Sequence, residues 1–216
     1  MSTKLSITVI AILILIGLAI SVAVYPHLPE QVASHWNAND QVNGYMSRFW
    51  GVALMPLITI GMALLFLAIP TIDPLKENIA KFRDAFNTFI VLMVAFMLYM
   101  HILTLVYNLG YTFRISQAMI PGMGLILVFA GIMMGKAKRN YFIGIRTPWT
   151  LANETVWDET HKLGGKMFIG AGVLSLFSLL FGENGFWLMM VLIAVAALVP
   201  VVYSYILFAR ITAKPK

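Results

Sequence analysis

The chain has 216 residues, of which 60% are hydrophobic and 11% charged, with a formal net charge of +6 and no cysteine. Its mean hydropathy is +0.86. A soluble domain carries about 25% charged residues, so too little charge is present to cover a folded surface in water, and a soluble globular domain is excluded. The lack of cysteine excludes disulfides, thiolate metal sites and cysteine nucleophiles. The basic balance does not point to direct nucleic-acid binding, because almost every Lys and Arg lies beside an apolar run and reads as a topology determinant.

A membrane span needs about 20 mainly apolar residues. The first run, Leu5–Tyr25, exceeds the roughly 7–15 residues of a signal-peptide core and is expected to be a retained helix. A polar segment, Pro26–Arg48, follows. It is rich in turn formers, including Pro26, Pro29, Asn37, Asn39, Asp40, Asn43 and Gly44. Tyr25, Trp36, Tyr45, Phe49 and Trp50 suit headgroup level. Two readings fit this segment: a receptor surface or lid over the end of the bundle, and an ordered loop whose aromatics anchor helix ends.

The second run is Phe49–Ile72. In the linker after it, Asp73 is an expected N-cap with Pro74 at the first helical position. Leu75, Ile79, Phe82 and Phe86 recur at helical spacing, which predicts a short helix lying on the membrane surface as an anchor. The third run, Phe86–Leu109, contains His101. An ionisable residue in a span is a functional-site candidate, although a neutral histidine is also a ready interhelical hydrogen-bonding group. Joining His101 to His35, His27 and Glu30 as a metal or proton site has no zinc-type spacing behind it, and no metal is expected.

The fourth run, Met119–Gly135, is short and holds the pair Gly131 and Gly135, which permits close helix packing. A long polar segment, Lys136–Lys166, follows. Within it Tyr141–Ile145 is apolar, Pro148 biases Thr147 toward extended backbone, and Asn153 is an expected N-cap. Glu154, Trp157 or Asp158, and His161 then share a helical face. The Gly164–Gly165 pair is expected to loosen or end that helix. The segment is expected to fold back on the bundle with Phe142, Ile143 and Trp149 buried in protein or in the membrane interface, and Arg146 pairing with Glu154 or with a phosphate or carboxylate partner. The fifth run, Met167–Phe181, is also short. It meets the sixth, Phe186–Ala209, through the tight connector Gly182–Gly185, which predicts an antiparallel hairpin.

Six spans place both termini on one side. That side carries 13 of the Lys and Arg residues, against Arg48 and Arg114 on the other, so both termini are expected to be cytoplasmic. The expected fold is therefore an all-α, multi-pass membrane helix bundle of about six transmembrane helices. It forms a single domain over residues 1–216, with a two-helix part at 1–72 and a second part at 119–209. Apart from the interfacial Asp84 the spans hold no carboxylate, which disfavours a proton-coupled transporter. There is no Gly-rich phosphate loop, Gly-x-Ser-x-Gly or His-Glu-x-x-His. Glu154, Asp158 and His161 remain the only acid–base candidates, and no enzyme or cofactor is expected.

The segment FIGIRTPWTLANETVW, Phe142–Trp157, with the DETHKLGGK that follows, resembles the signature of the SdpI family of bacterial membrane proteins. The outer segment resembles the uncharacterised domain common at the N-terminus of SdpI-like proteins, through Leu28-Pro29, His35-Trp36-Asn37 and Asn43-Gly44-Tyr45. It departs at Ala33, where a proline is common, and at Asp40, where a glycine is common. The family's namesake is an immunity protein against a secreted peptide toxin and a receptor that retains a small ArsR-like cytosolic repressor at the cell membrane. The resemblance implies an outer toxin-facing site at Pro29, His35, Trp36, Asn37, Gly44 and Tyr45. It also implies an inner partner-facing site at Gly144, Arg146, Thr147, Pro148, Trp149, Glu154, Trp157 and His161, with membrane lipids as the remaining partners. A lipid or small-molecule transporter is the alternative, and a membrane enzyme at the inner face a further one.

Overall fold

The computed structural model describes residues 1–213, so the tail residues Lys214 and Lys216 lie outside it. Eight α-helices are found among these residues: α1 (Thr3–Val24), α2 (Arg48–Ile72), α3 (Lys76–Ala80), α4 (Arg83–Asn108), α5 (Ile115–Met134), α6 (Pro148–Ala152), α7 (Glu154–Phe177) and α8 (Gly185–Thr212). Five helical stretches are long and apolar enough to cross a membrane. The last, Glu154–Thr212, breaks at Gly182 (φ +54°) and contains both α7 and α8. These two pack against each other as the expected hairpin, so the long helices number six.

One end of the bundle, called inner here after the expected orientation, collects Met1, α3, the 136–153 segment and the C-terminal end of α8. Asn87 Nδ2 donates to the Met1 carbonyl at 3.1 Å, Asn78 Nδ2 to the Arg139 carbonyl at 2.9 Å, and Trp149 packs on Tyr205 with ring centroids 5.1 Å apart. The opposite end collects the 26–47 segment, the start of α5 and the α7–α8 turn. There Ser116 bonds to Asp40 and Arg114 pairs with Glu183. This grouping is what six crossings require.

The main departure from an all-helical chain is a two-stranded antiparallel hairpin in the outer segment, β1 (Gln31–Trp36) and β2 (Val42–Ser47). The turn formers expected there make its tip. Asn37 Oδ1 accepts the N–H groups of Asn39 and Gln41, each at 3.0 Å, so the side chain builds the turn locally.

Three expectations change. Asp73 does not cap α3; it closes α2 as its C-cap, and Leu75 is the N-cap of α3. The short α3 and the turn after it pack inward, with Ile79, Phe82 and Phe86 buried in the main apolar cluster beside Ile10, Ala63 and Ile90. The fourth helix is not short, since α5 has 20 residues; the fifth apolar run is the second half of a longer helix, the 24-residue α7, whose first half is polar. Gly164 and Gly165 do not end α7, which runs straight through them.

The last point has a steric origin. A Cβ on Gly165 would lie 2.8 Å from the Gly131 carbonyl oxygen, and one on Gly131 would lie 2.5 Å from the Gly165 carbonyl oxygen. One full turn or more further along, Gly172 faces Gly124 in the same way, with 2.6 Å to its carbonyl oxygen. Glycine removes the side chains that would hold α5 and α7 apart, so their backbones meet. The Gly131 motif serves this contact within the chain. Because Gly165 is level with Gly135, the first three turns of α7 project past the end of α5 and form a platform on the inner side.

Gly172→Ala is expected to destabilise the protein by about 1–3 kcal/mol, the usual cost of overpacking. Gly170→Ala, whose Cβ meets nothing within 4 Å, is expected to keep the melting temperature in detergent or raise it slightly, because alanine favours the helix.

Candidate functional site

At the outer end, β1 is tied to the bundle by Asn108, the last residue of α4. Its Oδ1 accepts Ala33 N–H at 2.7 Å and its Nδ2 donates to Ala33 O at 3.0 Å, which copies a strand pairing with a side-chain amide. A proline at position 33 would have no N–H to give, so Ala33 makes a bond that the more common residue forgoes. Asp40 sits at φ +60°, the left-handed region where a glycine is least strained. Its carboxylate accepts Ser116 N–H at 2.8 Å and Ser116 Oγ–H at 2.7 Å. The aspartate therefore caps the N-terminus of α5 from a distant loop, supplying the acceptor that the first turn of a helix lacks.

The six expected outer residues occupy this hairpin and its approach. Pro29 accepts Arg48 Nε–H through its carbonyl at 3.3 Å. His35 Nδ1 and Asn43 Oδ1 lie 2.5 Å apart. Gly44 leaves room for that histidine, since a Cβ there would stand 2.9 Å from His35 Cβ. Trp36 packs edge-on against Tyr107, centroids 5.1 Å apart. Asn37 builds the turn, and Tyr45 is exposed.

Beneath the hairpin lies a cavity of about 510 Å³. Ser34, His35, Trp36 and Asn37 line it from the hairpin, with Met55 of α2, Met100 and Thr104 of α4, Met119 of α5 and Phe186 of α8. A polar pocket of about 400 Å³ adjoins it at Ala38 and Asp40 and carries Arg114 and Glu183. Of the expected outer residues, His35, Trp36 and Asn37 reach the cavity; Pro29, Gly44 and Tyr45 do not line it. Met55, Met100, Met119 and Phe186 were invisible as site residues, because a methionine in a span carries no signal beyond hydrophobicity.

His101 is buried away from this cavity. Ser21 Oγ–H donates to the Val52 carbonyl at 3.0 Å, and His101 Nε2 lies 2.8 Å from Ser21 Oγ. His101 thus joins α4 to α1 and α2, the plain hydrogen-bonding role. A space of about 20 Å³ beside it has room for one water. Among the described residues no three His, Asp or Glu side chains form a metal-binding group.

At the inner end, residues 136–153 form a compact cap on the α7 platform. Asn140, fully buried, accepts the N–H groups of Phe142 and Ile143 at 2.9 and 2.6 Å. Asp73 Oδ2 accepts Tyr141 N–H at 2.9 Å and its Oδ1 accepts Leu75 N–H at 2.6 Å. Thr147 and Thr150 form a capping box at the start of α6, and Thr147 Oγ1 lies 3.1 Å from Ser204 Oγ of α8. Asn153 caps α7 as expected, accepting Val156 N–H at 3.1 Å.

Trp157 and His161 are the pivot of this cap. Both are buried and stacked, centroids 3.9 Å apart at 17°. Trp157 Nε1–H donates to the Ala137 carbonyl at 2.8 Å. The backbone N–H of Ile145 donates to His161 Nε2 at 2.9 Å. Nε2 is therefore an acceptor, so the proton sits on Nδ1, which lies 2.8 Å from the Trp157 carbonyl. Gly144 makes this approach possible: its φ is +107°, and a Cβ there would overlap His161 Nε2.

Two inner readings are corrected. Arg146 does not pair with Glu154; its guanidinium donates to the Tyr141 carbonyl. Ile143 is buried in the protein and Trp149 half-buried, while Phe142 is exposed on the surface of the cap. Glu154 points outward and His161 is enclosed with both ring nitrogens engaged, so the acid–base pair needed for inner-face chemistry does not form. Gly144, Arg146, Pro148 and Glu154 are exposed, whereas Thr147, Trp157 and His161 are buried supports.

Comparison with known proteins agrees with this architecture. Residues 136–204 match the SdpI/YfhL protein family, and residues 12–60 match a domain of unknown function, DUF1648. The second half of the chain is thus similar to that family. It is 28% identical over 195 residues to the immunity protein SdpI of Bacillus subtilis (strain 168), covering 90% of this chain and 91% of that one. No solved structure matches the chain. The SdpI/YfhL match begins at the cap and ends at Ser204, and the DUF1648 match brackets the outer hairpin.

His161→Leu leaves the Ile145 N–H without its acceptor, a cost of about 1–3 kcal/mol. Hydrogen exchange is expected to accelerate at Ile143–Thr147 while α1, α2 and α4 keep their protection; Gly144→Ala is expected to give the same pattern.

Proposed function

We propose that this protein is an SdpI-like immunity protein and receptor of the cell membrane, with its termini cytoplasmic. Its outer cavity takes an apolar portion of a secreted peptide toxin, and its inner cap presents a surface to a cytosolic ArsR-like repressor. The observation that carries this reading is the cavity roofed by the hairpin at the outer end. Its wall combines methionines, which adapt to varied apolar partners, with the hairpin's polar edge. The similarity to a protein named for immunity along 90% of the chain supports the same reading.

The two polar segments lie at opposite ends of the bundle, as a receptor with one ligand on each side needs. On the inner cap the exposed groups are Tyr141, Phe142, Arg146, Pro148 and Glu154. They stand on the buried frame of Asn140, Thr147, Trp157 and His161. Two apolar rings beside an arginine and a glutamate suit a protein surface better than water alone. A transporter would need a continuous polar path. The outer cavity is mainly apolar and the space beside His101 has room for only one water, so that reading has less support.

Deleting the gene is expected to sensitise the native cell to a secreted peptide toxin; unchanged resistance together with unchanged operon induction contradicts the proposal. Thr104→Phe, which fills the cavity, is expected to lower protection about tenfold, equivalent to about 1.4 kcal/mol of binding, at an unchanged protein level in the membrane. Arg146→Ala is expected to abolish induction and spare protection.

A further inference from the structure

Thr3, Pro70, Lys76, Ala80 and Arg83 line a cavity of about 360 Å³ at the inner end, where α1 begins and α2 ends. Both charged groups in its wall are cations. Among the described residues Lys76 makes no ion pair. Arg83 is held in place: its Nε–H donates to Asn87 Oδ1 at 3.0 Å. Asn87 is fully buried and gives its own amide to Met1 O and Thr3 Oγ1 at 3.1 and 3.2 Å. That bond orients the guanidinium and leaves its terminal N–H groups for another acceptor.

Two cations facing one cavity with no acid in its wall repel each other, and an anion between them removes the repulsion. The position narrows the choice of anion. The cavity lies at the ends of two spans, where headgroups sit, and the exposed apolar side chain Ile7, one turn beyond Thr3 on the same face of α1, continues from it toward the membrane. A phosphate group fits the cations, and acyl chains fit the apolar flank.

We propose that this cavity binds the phosphate headgroup of an anionic phospholipid, with Lys76 and Arg83 as its cationic ligands and the Thr3 hydroxyl as a further donor. The site is separate from the outer cavity and does not rest on the immunity reading. Basic pockets between helices on the cytoplasmic side are suited to such headgroups, and Arg and Lys divide the work here as fork and point charge.

The test is native mass spectrometry of the full chain released from nanodiscs of mixed phosphatidylglycerol and phosphatidylcholine. The wild type is expected to retain phosphatidylglycerol selectively. Lys76→Gln is expected to lower that retention about fivefold, and adding Arg83→Gln to lower it further. Lys81→Gln, a cation on the same connection but outside the cavity wall, is expected to leave it unchanged. Lys76 is exposed, so the single variant carries the test even where the double variant fails to fold by circular dichroism. Equal retention by Lys76→Gln and the wild type overturns the proposal, as does an equal loss with Lys81→Gln. Inorganic phosphate that binds the detergent-purified protein in a Lys76-dependent way, without phosphatidylglycerol selectivity in nanodiscs, assigns the site to free phosphate and overturns the lipid.

Discussion

The backbone contact between α5 and α7 is the constraint on which both polar ends of the bundle depend. Gly131 and Gly165 each fill the space where the other's Cβ would stand. Their meeting fixes how far α7 projects past α5, and that projection is the platform for the inner cap. The same α5 is capped at its other end by Asp40 of the hairpin turn. One helix pair thus carries the outer hairpin at one end and the inner cap at the other. Lipid offers little hydrophobic drive for helices to associate, so small residues and close packing supply it.

Polar side chains do the remaining fastening, and they do it where backbone groups run out of partners. Asn108 offers Ala33 a strand-like pair, Asp40 caps α5, Asp73 and Asn140 gather the N–H groups of the 140–143 turn, and His161 takes that of Ile145. Each bond satisfies a donor that would otherwise be buried or left at a helix end. Arg146 and Glu154 are exposed, while the buried residues of the same segment hold the frame.

Much of this architecture is legible in the sequence because membrane crossing imposes length and apolarity on each span. Six helices, the closing hairpin of α7 and α8, and the two polar segments follow from that pattern. The hairpin at Gln31–Trp36 and Val42–Ser47 does not, because short strands packed on a helix end lack a long apolar alternation. The contrast at Gly164–Gly165 is instructive. Glycine pairs weaken isolated helices, yet here the cost is offset by a tertiary contact that only the folded bundle supplies. Likewise the helical spacing of Glu154, Trp157 and His161 is visible in the sequence, but not that the first faces water while the other two hold up the cap. The cavity wall of Met55, Met100 and Met119 is illegible for a simpler reason: its residues look like any other part of a span.

The dependence of both ends on the α5–α7 contact is tested most directly by hydrogen exchange on the Gly131→Leu variant in detergent micelles. Faster exchange is expected both at the inner cap, Ile143–Thr147, and at the outer turn, Asn37–Gln41, while α1 stays protected. Exchange confined to one end, or unchanged at both, would contradict that dependence.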